Sequence, residues 1–116
     1  MTCWHGYRSA AAALDLDPSA IRFVHAAARF GIMTHPNVNL TARDLCAALL
    51  DYARYHFGGQ SNATLELARR RIRNSEDVGR IIYTLAAAGL LHPSEGDAQS
   101  DFDGLFTLEN MFAVDL

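Results

Sequence analysis

The fold is decided by residues 75–91, which read SEDVGRIIYTLAAAGLL. Four apolar residues recur there at helical spacing: Val78, Ile81, Ile82 and Leu85. Ser75 is expected to be the N-cap, and the acidic residues after it complement the positive end of a helix. Gly89 is expected to end the helix in the left-handed conformation. This stretch predicts a capped amphipathic helix whose apolar face packs into a core.

Two upstream helices are predicted from their caps. The first covers residues 18–32 and begins after Asp17, an N-cap candidate followed by proline at the first helical position. The second begins at Thr41, with Asp44 three residues later in a spacing close to the capping box. Gly58 is expected to end this second helix, because glycine readily adopts the left-handed conformation.

A third upstream helix is predicted over about residues 63–73, opened by Ser61 or Asn62. Its inward-facing residues are expected to be Leu65, Ala68 and Ile72. Residues 92–104 are polar and acidic and are predicted to form a loop. Three apolar residues are then expected to return to the core: Leu105, Phe106 and Leu108.

Together these elements predict an all-α protein of one domain. We expect a compact bundle of about four helices, with a helix-turn-helix-like pair formed by the third and fourth, an acidic loop and an aromatic C-terminal tail. Residues 1–16 are expected to form a poorly ordered N-terminal segment, and residues 17–116 a single helical domain. A chain of 116 residues can bury a core without disulfides or metals.

Composition argues against several classes of function. The formal net charge of -3 gives no overall field that attracts nucleic acid or an anionic membrane. No stretch approaches the roughly 20 apolar residues of a membrane span. The two cysteines, Cys3 and Cys46, are too few and too far apart for a secreted disulfide framework. The expected location is therefore cytoplasmic.

Residues 72–82, which read IRNSEDVGRII, resemble an uncharacterised family of small bacterial proteins of planctomycete and verrucomicrobial type. The likeness extends over about residues 20–112. Further matches are Thr41, Asp44, Leu45, Asp51-Tyr52-Ala53, Phe57-Gly58, Asp101-Phe102 and Phe112. Arg70 and Arg71 stand where the family typically has Trp-Gly. The resemblance implies a shared fold and, since the family has no established activity, no chemistry.

No catalytic or metal centre is evident in the sequence. None of the histidines has the i, i+3 or i, i+4 spacing that places two ligands on one helix face, although a site formed by tertiary contacts stays open: His5, His25, His35, His56 and His92. The acidic residues around Gly104 do not fit a calcium loop, because Gln99 and Asn110 would occupy its first and last ligand positions. No nucleophile motif occurs. We expect no enzyme activity, no metal and no cofactor.

The candidate binding residues are an arginine cluster and an acidic surface. The chain has no lysine, and half of its arginines lie within residues 69–80. The candidates for binding protein or nucleic acid are Arg69, Arg70, Arg71, Arg73, Arg80 and Tyr83. The acidic surface comprises Glu95, Asp97, Asp101 and Asp103. Cations at the end of a helix also stabilise its dipole, which is a sufficient structural explanation of the cluster.

Two functions are compatible with these charges. Opposite patches favour association with a complementary protein or with a second copy, so the first hypothesis is a non-catalytic interaction or assembly module. Tyr52 and Tyr55 are further candidate interface aromatics, although Tyr52 fits the core equally well. The alternative is a winged-helix-like nucleic-acid-binding domain that uses the arginine cluster. Glu76 and Asp77 argue against it, because they would face phosphates at the start of the recognition helix.

Overall fold

The computed structural model describes residues 2–36, 39–114 and 116, and the regular elements in this part of the chain are helices. They are α1 (Thr2–Leu14), α2 (Pro18–Thr34), α3 (Ala42–Phe57), α4 (Gln60–Arg69), α5 (Ser75–Ala87) and a short 3-10 helix (Gln99–Phe102). No strand occurs among the described residues, where one isolated antiparallel bridge joins Asn74 and Thr107. The predicted all-α class is confirmed.

The predicted caps of α2 and α3 are confirmed. Asp17 accepts a hydrogen bond from the Ser19 amide at 2.8 Å, directly before the proline that starts α2. Thr41 and Asp44 form a capping box at the start of α3, with distances of 3.0 and 3.1 Å. Gly58 ends α3 with φ of 78°. These helix ends follow from local chemistry, which is why the sequence predicts them.

Residues 2–14, which we expected to lie in a poorly ordered segment, form α1. This helix packs against α2 and α5, with Ala10 and Ala11 buried. A Cβ atom on Gly6 would lie 2.6 Å from the nearest Leu90 side-chain carbon, so α1 approaches the end of α5 closely there. A stretch of alanines gives little periodic signal, and the sequence therefore does not predict this helix.

The helix α4 differs from its prediction in its bounds and in its buried face. It begins at Gln60 without a side-chain cap, so the predicted start at Ser61 or Asn62 is wrong. Its buried residues are Ala63 and Leu67, whereas Leu65 is 51% exposed. The register is set by contact with α3, the element on which α4 packs.

A left-handed turn ends α4 four residues before the predicted end. The amide of Arg71 donates to the Ala68 carbonyl at 3.0 Å, and the amide of Ile72 donates to the Leu67 carbonyl at 2.9 Å. This pair of bonds is the Schellman arrangement, in which an apolar residue after the turn packs back on the helix. Ile72 is fully buried and supplies that contact.

The predicted buried face of α5 and its ending at Gly89 are confirmed, but its N-cap is Asn74 rather than Ser75. The Asn74 side chain accepts a hydrogen bond from the Asp77 amide at 2.8 Å. The Ser75 hydroxyl instead accepts from the amides of Leu105 at 2.9 Å and Phe106 at 3.4 Å. It is therefore bonded to the C-terminal tail.

The helix α5 is the centre of the fold. It packs against α1, α2, α3 and the 3-10 helix, and Phe102 lies so close to Gly79 that a Cβ there would be 2.8 Å from the Phe102 Cβ. Among the described elements, α4 contacts α3 and makes no close backbone approach to α5. The expected helix-turn-helix-like pairing of α4 with α5 finds no support in these contacts.

Replacing Ser75 with alanine is expected to lower the free energy of unfolding by about 1–3 kcal/mol, because two backbone amides lose their acceptor at a buried position. Urea denaturation measures the change. Ser9→Ala is the matched control, since Ser9 is exposed in α1. Equal stabilities of the two variants would contradict the anchoring role of Ser75.

Candidate functional site

The first two arginines of the cluster are paired with one carboxylate at the end of α4. Arg69 contacts one oxygen of Glu66 at 3.1 Å, and Arg70 contacts the other at 2.9 Å. Arg70 also donates to the Glu66 carbonyl at 3.0 Å. Both cations are thus held along their own helix, where they complement its negative end.

Arg70 is further engaged with the aromatic core. Its guanidinium carbon lies 5.0 Å from the ring centre of Phe57 and 5.9 Å from that of Phe23. These are cation–π distances. Its Nε is buried and has no hydrogen-bond partner in the described part of the chain. Arg70 therefore packs the end of α4 against α2 and α3. Its side chain is only 25% exposed, so little of it is accessible to a partner.

The other three predicted arginines line one surface cleft with two carboxylates. We call it the arginine cleft: Arg71, Arg73, Arg80, Asp15 and Asp77. Its volume is about 170 Å³, and it lies between the end of α1, the turn before α5 and the first half of α5. The three arginines are exposed. Three of the five clustered arginines thus lie at one cleft, separate from Arg69 and Arg70.

Asp77 organises this cleft. One of its oxygens accepts the Arg73 backbone amide at 2.9 Å, and the other is paired with the Arg80 guanidinium. The Asp77 side chain is largely buried, so it fixes the turn and the adjacent arginine rather than projecting into solvent. Arg71 donates to the Asp15 carbonyl at 3.4 Å across the cleft.

Arg71 and Asp15 both have left-handed backbone conformations. Their φ angles are 61° and 54°, and they are the two non-glycine residues with positive φ in the described ranges. This conformation costs an L-residue roughly 1–2 kcal/mol, and glycine is the usual residue at such a helix end. The strain is concentrated at the arginine cleft, and no sequence pattern indicated it.

Tyr83 lies in a different pocket from the arginines. It lines a volume of about 230 Å³ with Asp97, Asp101 and Phe102, and we call this site the acidic pocket. Burial and the two carboxylates raise the pKa of the Tyr83 hydroxyl. The other two residues of the predicted acidic surface are exposed and do not line this pocket: Glu95 and Asp103.

The two remaining candidate aromatics differ in exposure. Tyr52 is half-buried, and its ring centre lies 5.5 Å from those of both Phe23 and Phe30. Tyr55 is 88% exposed on the outer face of α3. Tyr52 thus packs between α2 and α3, while Tyr55 projects into solvent.

The buried ionisable groups do not form a reactive centre. Burial raises the pKa of the Cys46 thiol to about 12, so it carries no thiolate near neutral pH. Burial also lowers the pKa of His25, whose Nδ1 lies 2.6 Å from the Tyr7 hydroxyl oxygen. Within the described residues, no group of three or more His, Cys, Asp or Glu side chains is placed to hold a metal ion. The side chains of Cys3 and His5 lie outside this description.

The described helices include none that is both long enough and apolar enough to cross a membrane. No protein-family model, no curated protein and no solved structure matches this chain. The resemblance to the planctomycete and verrucomicrobial family stays a prediction from sequence.

Replacing Arg70 with alanine is expected to lower the free energy of unfolding by about 1–3 kcal/mol, because a charged hydrogen bond and two aromatic contacts are lost. Arg69→Ala should change it by less than about 0.5 kcal/mol, since the Arg69 side chain is 65% exposed. Thermal and urea unfolding of both variants test the contrast. A loss of stability at Arg69 as large as that at Arg70 would contradict it.

Proposed function

We propose that this protein is a non-catalytic protein-interaction domain that binds a carboxylate-bearing segment of a partner protein at the arginine cleft. The observation that carries the proposal is the strained position of Arg71. At a helix end where glycine would be more stable, an exposed arginine lies beside two others.

The chemistry of the cleft matches carboxylates. A guanidinium is a planar fork of donors that can bind both oxygens of a carboxylate at once. Arg71, Arg73 and Arg80 face two carboxylates in the cleft, so one positive charge is left in excess. Within the described residues, Asp77 pairs only with Arg80, and Arg73 is bonded to it through the backbone alone. The guanidinium groups of Arg71 and Arg73 are the two most available to a partner.

Strain at Arg71 favours a functional reading of its side chain. A conformational cost of this kind persists in proteins where the residue contributes something besides stability, and strained positions concentrate at binding and catalytic sites. The contact that Arg71 makes with the Asp15 carbonyl is long, at 3.4 Å, and offsets little of the cost. Binding of a partner is the contribution we assign to it.

The alternative, a winged-helix-like nucleic-acid-binding domain, is less well supported. Its recognition helix would be α5, yet α4 makes no close backbone approach to α5 in the described chain. The cleft holds Asp15 and Asp77 beside its arginines, and carboxylates repel a phosphate backbone. Three exposed cations also offer fewer contacts than the roughly 6–10 phosphates engaged by a typical duplex-binding protein.

A second copy of the chain is one source of the required carboxylates. Residues 92–104 contain Glu95, Asp97, Asp101 and Asp103 and no arginine, and most of them are exposed. Docking of this segment into the cleft of another copy gives a symmetric dimer if the contact is reciprocal, and rings or open assemblies if it is head-to-tail. A separate acidic protein would use the same chemistry.

The experiment uses a fluorescein-labelled hexaglutamate peptide and the full chain at about 0.02 M salt, where screening is weak. Fluorescence anisotropy should show saturable binding. The double variant Arg71→Ser, Arg73→Ser should bind at least about tenfold more weakly, because two guanidinium contacts are lost. The matched control is Arg22→Ser, Arg43→Ser, which removes two exposed arginines that do not line the cleft.

Analytical ultracentrifugation of the same proteins distinguishes a second copy of the chain from a separate acidic protein as the source of the carboxylates. Concentration-dependent assembly that the cleft variant loses, and the control keeps, assigns the carboxylates to a second copy. If hexaglutamate does not bind and the protein stays monomeric, or if both double variants behave alike, the proposal is wrong. Binding of a DNA duplex that only the cleft variant loses would favour the nucleic-acid alternative.

Replacing Arg71 with glycine is expected to raise the free energy of unfolding by about 1 kcal/mol while weakening hexaglutamate binding, because it removes both the strain and the cation. Gly89→Ala is the opposite control, since Gly89 has φ of 78° at the equivalent turn after α5 and should lose about as much stability. Urea denaturation measures both. A destabilised Arg71→Gly variant would remove the strain argument.

A further inference from the structure

The acidic pocket is a second site that shares no lining residue with the arginine cleft. It lies between the end of α2, the start of α3, the middle of α5 and residues 91–102. Its volume of about 230 Å³ is slightly below the roughly 300–1,000 Å³ usual for ligand pockets. A pocket of this size suits a small ligand rather than a nucleotide or a folded partner.

One side of the pocket is apolar. It includes Ile32, Leu45, Ile82, Leu91 and Phe102. Ile32 is 51% exposed, although it is a large aliphatic residue on this side. An apolar ligand body that covered this surface would remove it from water, which is the main source of affinity in such pockets.

The polar side of the pocket carries negative charge. Asp97 accepts the Ser94 amide with Oδ2 at 2.8 Å, and Asp101 accepts the Ala98 amide with Oδ2 at 3.0 Å. The Oδ1 atoms of these two carboxylates have no hydrogen-bond partner within the described chain. No arginine lines the pocket, and His92 is the ionisable base in its described lining. Both carboxylates therefore keep acceptor capacity for a ligand.

Tyr83 lies beside the two carboxylates in the pocket. The pKa of its hydroxyl is raised by burial and by the charges of Asp97 and Asp101. Its ring centre lies 6.4 Å from that of Phe102, with the two ring planes at 81°. Aromatic rings also attract cations. The rings of Tyr83 and Phe102 therefore favour a positively charged ligand, as the two carboxylates do.

We propose that the acidic pocket binds a small organic cation, specifically a primary ammonium on a short apolar body. An ammonium has three donors and no acceptor, which matches the acceptors offered by Asp97, Asp101 and the Tyr83 hydroxyl oxygen. The apolar body covers the apolar side between α2, α3 and α5. Neither the ammonium nor the apolar body alone contacts both the carboxylates and the apolar side of the pocket.

The test titrates the full-length protein with 2-phenylethylamine and follows backbone amide shifts by NMR. Saturable shifts are expected at Ile82, Tyr83, Leu91 and Phe102. The neutral isostere 2-phenylethanol should bind at least about tenfold more weakly, because it lacks the charge-assisted hydrogen bonds. Methylammonium should also bind more weakly, since it lacks the apolar body.

Substitutions of aspartates in residues 92–104 test which carboxylates bind the ammonium. Asp97→Asn and Asp101→Asn keep an acceptor for the backbone amide and remove the charge, so each should weaken 2-phenylethylamine about tenfold. Asp103→Asn is the matched control, because Asp103 is exposed nearby and does not line the pocket. It should bind as the unmodified protein does.

The proposal is overturned if the shifts do not saturate, if they map to the arginine cleft, or if the alcohol binds as tightly as the amine. Wild-type affinity in both pocket variants would overturn it equally. The comparison of amine with alcohol uses the unmodified protein, so the test holds even if a variant fails to fold.

Discussion

The Ser75 hydroxyl fixes the C-terminal tail to the start of α5, the helix that contributes residues to both candidate sites. It accepts the amides of Leu105 and Phe106, while the Ser75 amide donates to the Phe106 carbonyl at 3.1 Å. Phe106 is buried in the hydrophobic core. The anchored tail holds the preceding loop against α5, where the acidic pocket forms. The same turn places Asn74 as the helix cap and Asp77 at the arginine cleft.

The backbone conformation at the end of α4 gives neighbouring arginines different surroundings. Arg69 and Arg70 still belong to the end of α4, so they reach back to Glu66, and Arg70 packs on two aromatic rings. The left-handed conformation at Arg71 then reverses the direction of the chain. Arg73, which follows this turn, lies at the arginine cleft with Arg80 of α5 and the end of α1. Neighbouring arginines thus acquire different roles, and composition alone does not distinguish them.

Local chemistry accounts for most of what the sequence predicts correctly. The caps at Asp17, Thr41, Gly58 and Gly89 and the buried face of α5 need only neighbouring residues, and all are found in the structure. The failures involve tertiary contacts: α4 takes its register from α3, and Ser75 is bonded to the tail instead of capping its helix. The separation of the cleft arginines from Arg69, Arg70 and Tyr83, and the association of Tyr83 with Asp97, are of this second kind. A sequence can nominate such residues, but their division between sites depends on the fold.

The net charge of the chain is uninformative because the two sites have opposite fields. The arginine cleft has an excess of cations, and the acidic pocket is lined by two carboxylates and no arginine. Charges on a protein surface are screened over about 8 Å at physiological salt, so a ligand senses the site it enters more than the whole molecule. A formal charge of -3 therefore does not exclude an anionic partner at the cleft. What decides the partner is the local set of donors and acceptors, and in this fold α5 contributes Arg80 to one set and Tyr83 to the other.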